Sequence, residues 1–305
     1  MKNILIITSS IDYTVDYIIN NYGYKNMFYR VNVDMFNRYK FNISYENGFY
    51  IESSQWSIGE DELDAIYYRK PLLPNLCKYE QSYHKMISKD IISYINGIVD
   101  GFDGIVLSKP SILRKTENKI YQIKIAKKVG FKFPISSIGT SLDDINKIIE
   151  IGAIIKPLTT GKIISNNECE IIQTAKVQSC IKEDISITPL YIQQYIEKSY
   201  ELRVTIINNK IFPVKIESFN LIDWRIDQNK NKYTVVNIPE DIKIKCLEMM
   251  KIMNLKFGAF DFIVNNDNEY IFLEVNPNGQ WLWLEQKLGV NISSEIINYL
   301  EDGKE

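Results

Sequence analysis

Apolar positions open the chain as a nearly solid run. Residues 3–7 (NILII) carry the pattern of a strand covered on both faces, and Asp12 stands where it can cap a following helix. Short apolar runs then alternate with longer amphipathic stretches, which predicts strands at 27–31, 65–69 and 104–108 and a helix at about 80–99. Between them, 39–45 and 49–53 flank Asn47-Gly48, a dipeptide that readily takes the left-handed backbone of a hairpin turn. Strands alternating with helices make residues 1–110 an α/β layer. No GxGxxG follows its first strand, so nothing there supports a dinucleotide site.

Lys109-Pro110 interrupts the pattern. Beyond it, 113–129 reads as one basic amphipathic helix stopped by Gly130 and Pro134. A strand at 135–138, a helix at 142–150 and a strand at 153–156 follow, then a small polar loop, 157–161, and two short β-prone runs around Asn166-Asn167. From Tyr191 the strands lengthen, at 191–196, 201–207 and 211–218. After a helix at 240–253 comes a hairpin of 259–264 and 270–275, turning on Asn265-Asn266-Asp267-Asn268. The chain thus divides into 1–110, 111–190 and 191–305, α/β at first and α+β afterwards.

Composition narrows the chemistry. The 305 residues hold 36 Lys+Arg against 38 Asp+Glu, a net charge of −2 that gives no footprint for a general nucleic-acid binder. The single histidine, His84, excludes a His-rich zinc site and reads as a surface or packed residue. Cys77, Cys169, Cys180 and Cys246 form no CxxC pair, which points away from a disulfide framework and toward a reducing cytoplasm. No run approaches the roughly 20 apolar residues of a membrane span, and the opening run is too short for a signal peptide.

The C-terminal hairpin carries the strongest chemical signal. Alternation puts Glu274 and Asn276 on one strand face, and a turn centred on Asn266-Asp267 sets Asp261 opposite Phe272, on that same face and diagonal to Glu274. Two carboxylates and an amide oxygen, inside apolar runs where unpaired charge is costly, make a hard-oxygen set suited to Mg²⁺. Lys156 ends a buried strand just before the loop 157–161, whose amides could cover phosphates. Lys119, by itself, is one of several lysines on its helix. In YIQQYIEKSYELRV, the strand end at Tyr195 and Ile196 could offer a backbone edge to adenine, Glu201 could accept from ribose, and Arg203 could reach phosphate. The same segment reads equally as a plain hairpin with Glu201 and Arg203 in a surface ion pair.

Taken together and in order, these segments resemble the ATP-grasp ligases, most closely the branch that adds glutamate to a ribosomal protein and the microviridin-type maturases of graspetide peptides. The resemblance runs from about 105 to 285 through ENKIYQIKIAKKVGFKFP, Ile155-Lys156-Pro157, QQYIEKSYELRV, Asp223-Trp224-Arg225, AFDF and LEVNPNG. It implies an ATP-grasp fold with an N-terminal α/β pre-grasp domain, 1–110, a central small subdomain, 111–190, and a C-terminal subdomain, 191–305, holding the Mg/ATP site. It implies ATP lysines at Lys119 and Lys156, hinge contacts at Gln194, Tyr195 and Ile196, a ribose contact at Glu201, and catalytic arginines at Arg203 and Arg225. Asp261, Glu274 and Asn276 become ligands for Mg²⁺, two ions in the family. Many relatives have Glu at the position of Gln194. More loosely, Tyr67 to Pro71 is similar to an aromatic-Arg-basic-Pro element of peptide maturases, which makes Arg69, with Asp223, an expected substrate contact.

The implied activity is ADP-forming ligation: Asp or Glu side chains of a ribosomal precursor peptide, leader plus core, become acyl phosphates and close into esters or amides. A homodimer belongs to the same resemblance. Leader docking is expected at the β-rich insert 162–176, where Ile163, Ile164, Ile171 and Ile172 either present an edge or close the subdomain core. Three other readings remain: a ligase adding an amino acid to a peptide or protein, a small-molecule kinase on the same fold, and a non-enzymatic nucleotide-binding protein.

Overall fold

In a computed structural model of the chain, the opening run forms β1 (Asn3–Thr8), buried after its first residue. α1 (Tyr13–Tyr22) follows, with Asp12 accepting the Thr14 amide as its N-cap. β2 (Met27–Asn32) lies parallel to β1. β3 (Lys40–Ser44), β4 (Gly48–Glu52) and β5 (Ser57–Gly59) form a separate antiparallel meander, and Gly48 closes its first turn at φ +66°. β6 (Ala65–Tyr68), α2 (Gln81–Gly101) and β7 (Ile105–Leu107) complete a parallel sheet in the order β2-β1-β6-β7. Its solid apolar strands follow from cover on both faces. Leu5 and Ile7 pack toward Ile91, Ile95 and Ile98 of α2, while Ile4 and Ile6 face the C-terminal helices.

The structure describes residues 1–159, 162–165, 168–171, 174–226 and 228–303, the side chains of 162–165 and 168–171 excepted. The side chains of Ile163, Ile164 and Ile171 in the expected docking insert, the whole of Ile172, and Thr160 and Gly161 of the small polar loop lie outside what is described.

The single helix expected over 113–129 is two: α3 (Pro110–Thr116) and α4 (Lys119–Val129). Asn118 divides them, its side-chain oxygen taking the Tyr121 amide at 3.0 Å. A short polar side chain that bonds nearby backbone competes with the helical ladder, and here it starts a new helix. β8 (Ser136–Gly139), α5 (Leu142–Glu150) and β9 (Ala153–Lys156) come next. The hairpin β10 (Lys162–Ser165) and β11 (Glu168–Ile171) stands apart, and β12 (Ala175–Val177) and β13 (Leu190–Gln194) close an antiparallel sheet in the order β12-β9-β13-β8. β13 crosses the 190/191 division expected from the sequence. This sheet packs on Ile145, Ile148 and Ile149 of α5 in a small core of its own.

β14 (Tyr200–Ile207), β15 (Lys210–Glu217), β16 (Lys232–Val235), α6 (Glu240–Met253), β17 (Phe257–Val264) and β18 (Tyr270–Asn276) build the third unit, a sheet ordered β16-β15-β14-β17-β18. Alternation splits its residues cleanly. Leu202, Val204, Phe260, Phe262 and Phe272 join one core with residues of α4 and α6, leaving Arg203 and Asp261 on the opposite face. Two terminal helices went unread in the sequence, α7 (Leu282–Leu288) and α8 (Ile292–Asp302). Ile296, Ile297 and Leu300 of α8, with Trp281, share a core with Ile4, Ile6, Ala65 and Leu107 of the first sheet. Among the described residues no helix is long and apolar enough to cross a membrane.

Candidate active site

Three strands lay a row of charge across the third sheet. Arg203 on β14 pairs in register with Asp261 on β17, and Asp261 pairs with Glu274 on β18. The register differs from the sequence expectation, which set Asp261 opposite Phe272. Val264 faces Tyr270 across a five-residue loop and Phe262 faces Phe272, a ladder that by itself would turn Glu274 to the core side. A bulge between Asp261 and Phe262 shifts the pairing by one more residue, so Leu273 is the extra one. Two one-residue offsets restore the original parity, and Glu274 arrives directly opposite Asp261.

Arg203 Nη1 lies 2.8 Å from each Asp261 oxygen. Arg225 Nη2 donates to Asp261 Oδ2 at 3.0 Å and to Glu274 Oε1 at 3.4 Å. Lys119, brought by the Asn118 cap to the first position of α4, donates to Glu274 Oε2 at 2.5 Å. Asn276 Nδ2 lies 3.1 Å from both Asp261 Oδ2 and Glu274 Oε1. Burial alone pushes the Glu274 carboxyl up, yet Lys119 and Arg225, with Lys156 behind them, hold it well below the usual carboxylate range. All these groups converge on one point, the surface ion pair of Glu201 and Arg203 does not form, and Arg203 is only 4% exposed.

The set fits Mg²⁺. Among the described residues no three His, Cys, Asp or Glu side chains cluster as a closed metal cage. Asp261 and Glu274 share Asn276 between them, and rotation of its amide turns an oxygen to the point where their lone pairs meet. Two carboxylates and one amide oxygen make a site for a hard cation that keeps waters and shares its shell with phosphate.

The second lysine stands across the cleft. Lys156 on β9 pairs in register with Tyr191 on β13, and its Nζ donates to Gln193 Oε1 at 2.6 Å. Burial pushes the Lys156 ammonium down to about 8; nearby Glu274 opposes this, while Lys119 and Arg225 add to it. Gln193, fully buried, is fixed in turn by Ser136 and Tyr191 hydroxyls, each at 3.1 Å from its Nε2. At the strand end the Gln194 amide is taken by the Ile135 carbonyl at 2.7 Å and the Tyr195 amide by the Gly152 carbonyl at 2.9 Å. Among the described residues the Ile196 amide has no such acceptor. Lys176 lies 3.7 Å from the Tyr195 ring centre. Glu201, buried on the face of Arg203, meets Lys198 Nζ at 3.1 Å. Burial raises the Glu201 carboxyl to about 7 against the pull of Lys198.

The 218–226 loop carries the last pieces. Asn220 Oδ1 accepts the Ile222 and Asp223 amides at 2.9 and 3.0 Å, and Asp223 Oδ1 accepts the Arg225 amide at 2.9 Å. Trp224 buries itself against Trp283 with ring centres 5.3 Å apart, and that anchor aims Arg225 at the carboxylates. Arg69 is placed otherwise than expected. It ends 1% exposed, its Nε 3.0 Å from Asp12 Oδ2 and its Nη2 bonded to Thr14 Oγ1 and Gln280 Oε1 at 3.2 and 2.5 Å. The side chain is spent on tying the first sheet to the turn after Asn276 and does not line the cleft. His84 sits on α2 with Nε2 2.9 Å from the Tyr79 carbonyl oxygen, remote from this chemistry.

Several positioning groups escaped the sequence. Gln122, 2% exposed, donates to the Val275 carbonyl at 2.8 Å and accepts the Val275 amide at 3.1 Å, clamping the residue between Glu274 and Asn276. Gly279 lets the turn lie against Arg203: a Cβ there would meet Arg203 Nη2 and Ala259 Cβ at 2.7 Å. Both lie in runs quoted above, Gln122 in ENKIYQ and Gly279 in the turn signal Asn-Pro-Asn-Gly, but only the tertiary contacts show what each does. A cleft of about 1690 Å³ joins all these groups from Ile196 to Lys119 and the carboxylate pair, then runs on past Lys70 to Leu72, Leu73 and Ile92.

Comparison with known proteins follows the same lines. The structure superposes with a TM-score of 0.90 on a RiPP-associated ATP-grasp ligase of Chryseobacterium gregarium, solved in complex with ADP and a leader and core peptide; identity is 25%, covering 100% of this chain and 98% of that one. With the macrocyclase MdnC of Microcystis aeruginosa, solved bound with precursor peptide MdnA, the TM-score is 0.89 at 25% identity, over 99% and 100% of the two chains. A probable alpha-L-glutamate ligase of Pseudomonas putida is 22% identical over 203 residues, 64% of this chain and 66% of the relative. The curated relatives are thus matched over part of their own length, 38% in the case of an uncharacterised Mycoplasma genitalium protein. The RimK-like ATP-grasp domain matches residues 116–300, which takes in the charged row, both lysines and the hinge, and the chain belongs to that family with an ATP-grasp fold.

Proposed function

We propose that this chain is an ADP-forming ligase that activates Asp or Glu side chains of a ribosomal precursor peptide and closes them into intramolecular esters or amides. The observation that supports this most directly is the convergence of Arg203, Arg225, Lys119 and Asn276 on the Asp261–Glu274 pair. It lies in a cleft of about 1690 Å³, beyond the roughly 300–1,000 Å³ that a small ligand occupies. The similarity to ligases solved with precursor peptides adds to it.

ATP spans the cleft in this reading. Its adenine meets the Ile196 amide next to Gln194 and Tyr195, its ribose hydroxyls donate to Glu201, and its phosphates lie among Lys119, Lys156 and Arg203. Asp261, Glu274 and Asn276 would hold Mg²⁺, two ions in this reading, which would supply charge neutralisation at the phosphate oxygens. A substrate carboxylate attacks the γ-phosphorus in line, the bond to the bridging oxygen breaks, and ADP departs. Arg225 reaches from the loop over both carboxylates and is placed to hold the acyl phosphate as charge moves onto it. A Ser or Thr hydroxyl or a Lys amine then attacks the acyl carbon, gives up a proton, and expels phosphate. The peptide loses one water per bond. The enzyme supplies no nucleophile, in keeping with Cys246 in the core and Cys77 and Cys180 at the surface.

The same reading includes a leader segment docked apart from the reacting core, a homodimer, and a cytoplasmic setting. Intact-mass spectrometry of short peptides encoded beside the gene, incubated with the protein, Mg²⁺ and ATP, tests it. A loss of one water per link with matching ADP is the expected result. Gain of an amino-acid residue by the acceptor indicates intermolecular ligation of the glutamate-ligase kind, and gain of a phosphoryl group a kinase. Sedimentation of the purified chain tests the dimer.

A further inference from the structure

Arg69 and Lys70 follow one another out of β6 and meet opposite fates. Arg69 turns inward to Asp12, Thr14 and Gln280. Lys70 takes a left-handed backbone, φ +42°, a conformation that a side-chain-bearing residue holds only where its surroundings impose it. Its side chain then lines the cleft together with Glu117, Arg203 and the carboxylate pair. Every other cation named at this site has an acceptor: Lys119 has Glu274, Lys156 has Gln193, Arg203 and Arg225 have Asp261. Among the described residues Lys70 makes no ion pair and no side-chain hydrogen bond.

Its surroundings ask for an anion. Burial pushes the Lys70 ammonium down to about 8; Arg69 and Arg203 repel it, and Asp12 and Glu117 only partly offset this. A half-buried ammonium without a partner gains from an incoming carboxylate or phosphate. The nucleotide phosphates have their own cations, Lys119, Lys156 and Arg203, carried on α4 and the second and third sheets. Lys70 comes from the first sheet instead. The walls beside it are apolar, with Leu72, Leu73 and Ile92 between 38% and 47% exposed, so that arm of the cleft suits a peptide better than a polyphosphate.

We infer that Lys70 binds the peptide carboxylate that is to be phosphorylated, holding the Asp or Glu side chain in the cleft beside Arg203, and that Arg69 serves only to brace the strand that presents it. The inference rests on the carboxylate-activating reading above and adds to it the residue that selects an acidic side chain.

The test uses the full chain, Mg-ATP, hydroxylamine as trap, and a short blocked synthetic peptide carrying one Glu, with its Gln counterpart as control. Wild type is expected to form hydroxamate and ADP with the Glu peptide alone. Lys70→Gln should raise KM for that peptide about 10- to 100-fold, the worth of a charge-assisted hydrogen bond, while the ATP Kd stays within about twofold. In wild type, KM should rise as pH passes about 8, because the ammonium loses its charge there; Lys70→Gln should abolish that rise and Lys70→Arg should shift it to higher pH while restoring KM. Absence of hydroxamate with wild type overturns the carboxylate reading itself. An unchanged KM in Lys70→Gln, or a loss confined to ATP affinity, overturns the role of Lys70 and leaves that reading standing.

Discussion

Two buried Arg–Asp pairs lie among the described residues, and they differ in what remains for a third party. Arg69 and Asp12 are sealed. Asp12 also takes the Thr8 hydroxyl and Thr14 amide at 3.0 and 3.1 Å, and the void beside Arg69 amounts to about 10 Å³. Arg203 and Asp261 face about 1690 Å³, with Glu274 and Asn276 alongside. The same ionic contact is therefore a fastening in one place and an accessible charged surface in the other. What separates them is saturation by the chain's own donors and acceptors, not pair geometry.

Removing each carboxylate is the most forceful way to break the comparison. Asp261→Asn should lower ADP formation by about 10³-fold or more. Asp12→Asn should instead cost about 3–5 kcal/mol in urea unfolding, because it strands a buried guanidinium, with turnover per folded molecule nearly unchanged. Equal losses of turnover in both would erase the distinction.

Arg225 sharpens the contrast from the solvent side. Its side chain is 44% exposed. Arg225→Ala should lower kcat about 10²- to 10³-fold with little change in thermal midpoint. A midpoint that dropped in step with kcat would make it a structural residue like Arg69.

Gln122→Leu should destabilise the fold by about 1–3 kcal/mol for the Val275 groups it orphans, and should raise the Mg²⁺ concentration needed for half-maximal turnover. Metal titration of the variant against wild type measures the second effect.

The smallest effect is in pH. Glu201 charges as pH rises through about 7, and Lys156 discharges above about 8. ATP affinity should therefore peak between those values, severalfold above the flanks, with Glu201→Gln flattening the acid limb and Lys156→Met the alkaline one. For stability the Glu201 sign is opposite. The folded carboxyl holds its proton up to about 7 while the unfolded one releases it near 4.5, so its contribution is complete below 4.5 and is lost as pH rises to 7.

Most strands and the parity of the C-terminal hairpin were legible because both rest on local alternation. Asp261, Glu274 and Asn276 could be read together although the turn placed Asp261 opposite the wrong residue. The five-residue loop and the bulge at Leu273 cancel in parity, and parity is all that a sequence pattern reports. Lys119 could not be told from its neighbours, since its distinction lies in the Asn118 cap and the reach to Glu274. Gln122 and Gln193 are ordinary polar letters whose deciding partners, Val275 for one and Lys156 and Ser136 for the other, lie in other strands, and the inward aim of Arg69 depends on Gln280, 211 positions away. The break at Asn118 does not show in the amphipathic period, which runs on through 113–129; it rests on the capping bond of the Asn118 side chain to the Tyr121 amide.

The sealed node around Arg69 also decides which part of the molecule is free to travel. With Gln280 fastened to the first sheet, and α8 wedged between that sheet and the third, those two layers share one core and form a single anvil. The second sheet, resting on a small core of its own, is the jaw. Under the ATP reading proposed above, nucleotide entry and exit are expected to swing Lys156, Gln193 and the Ile196 strand end as one jaw toward a charged row held in place by the shared core.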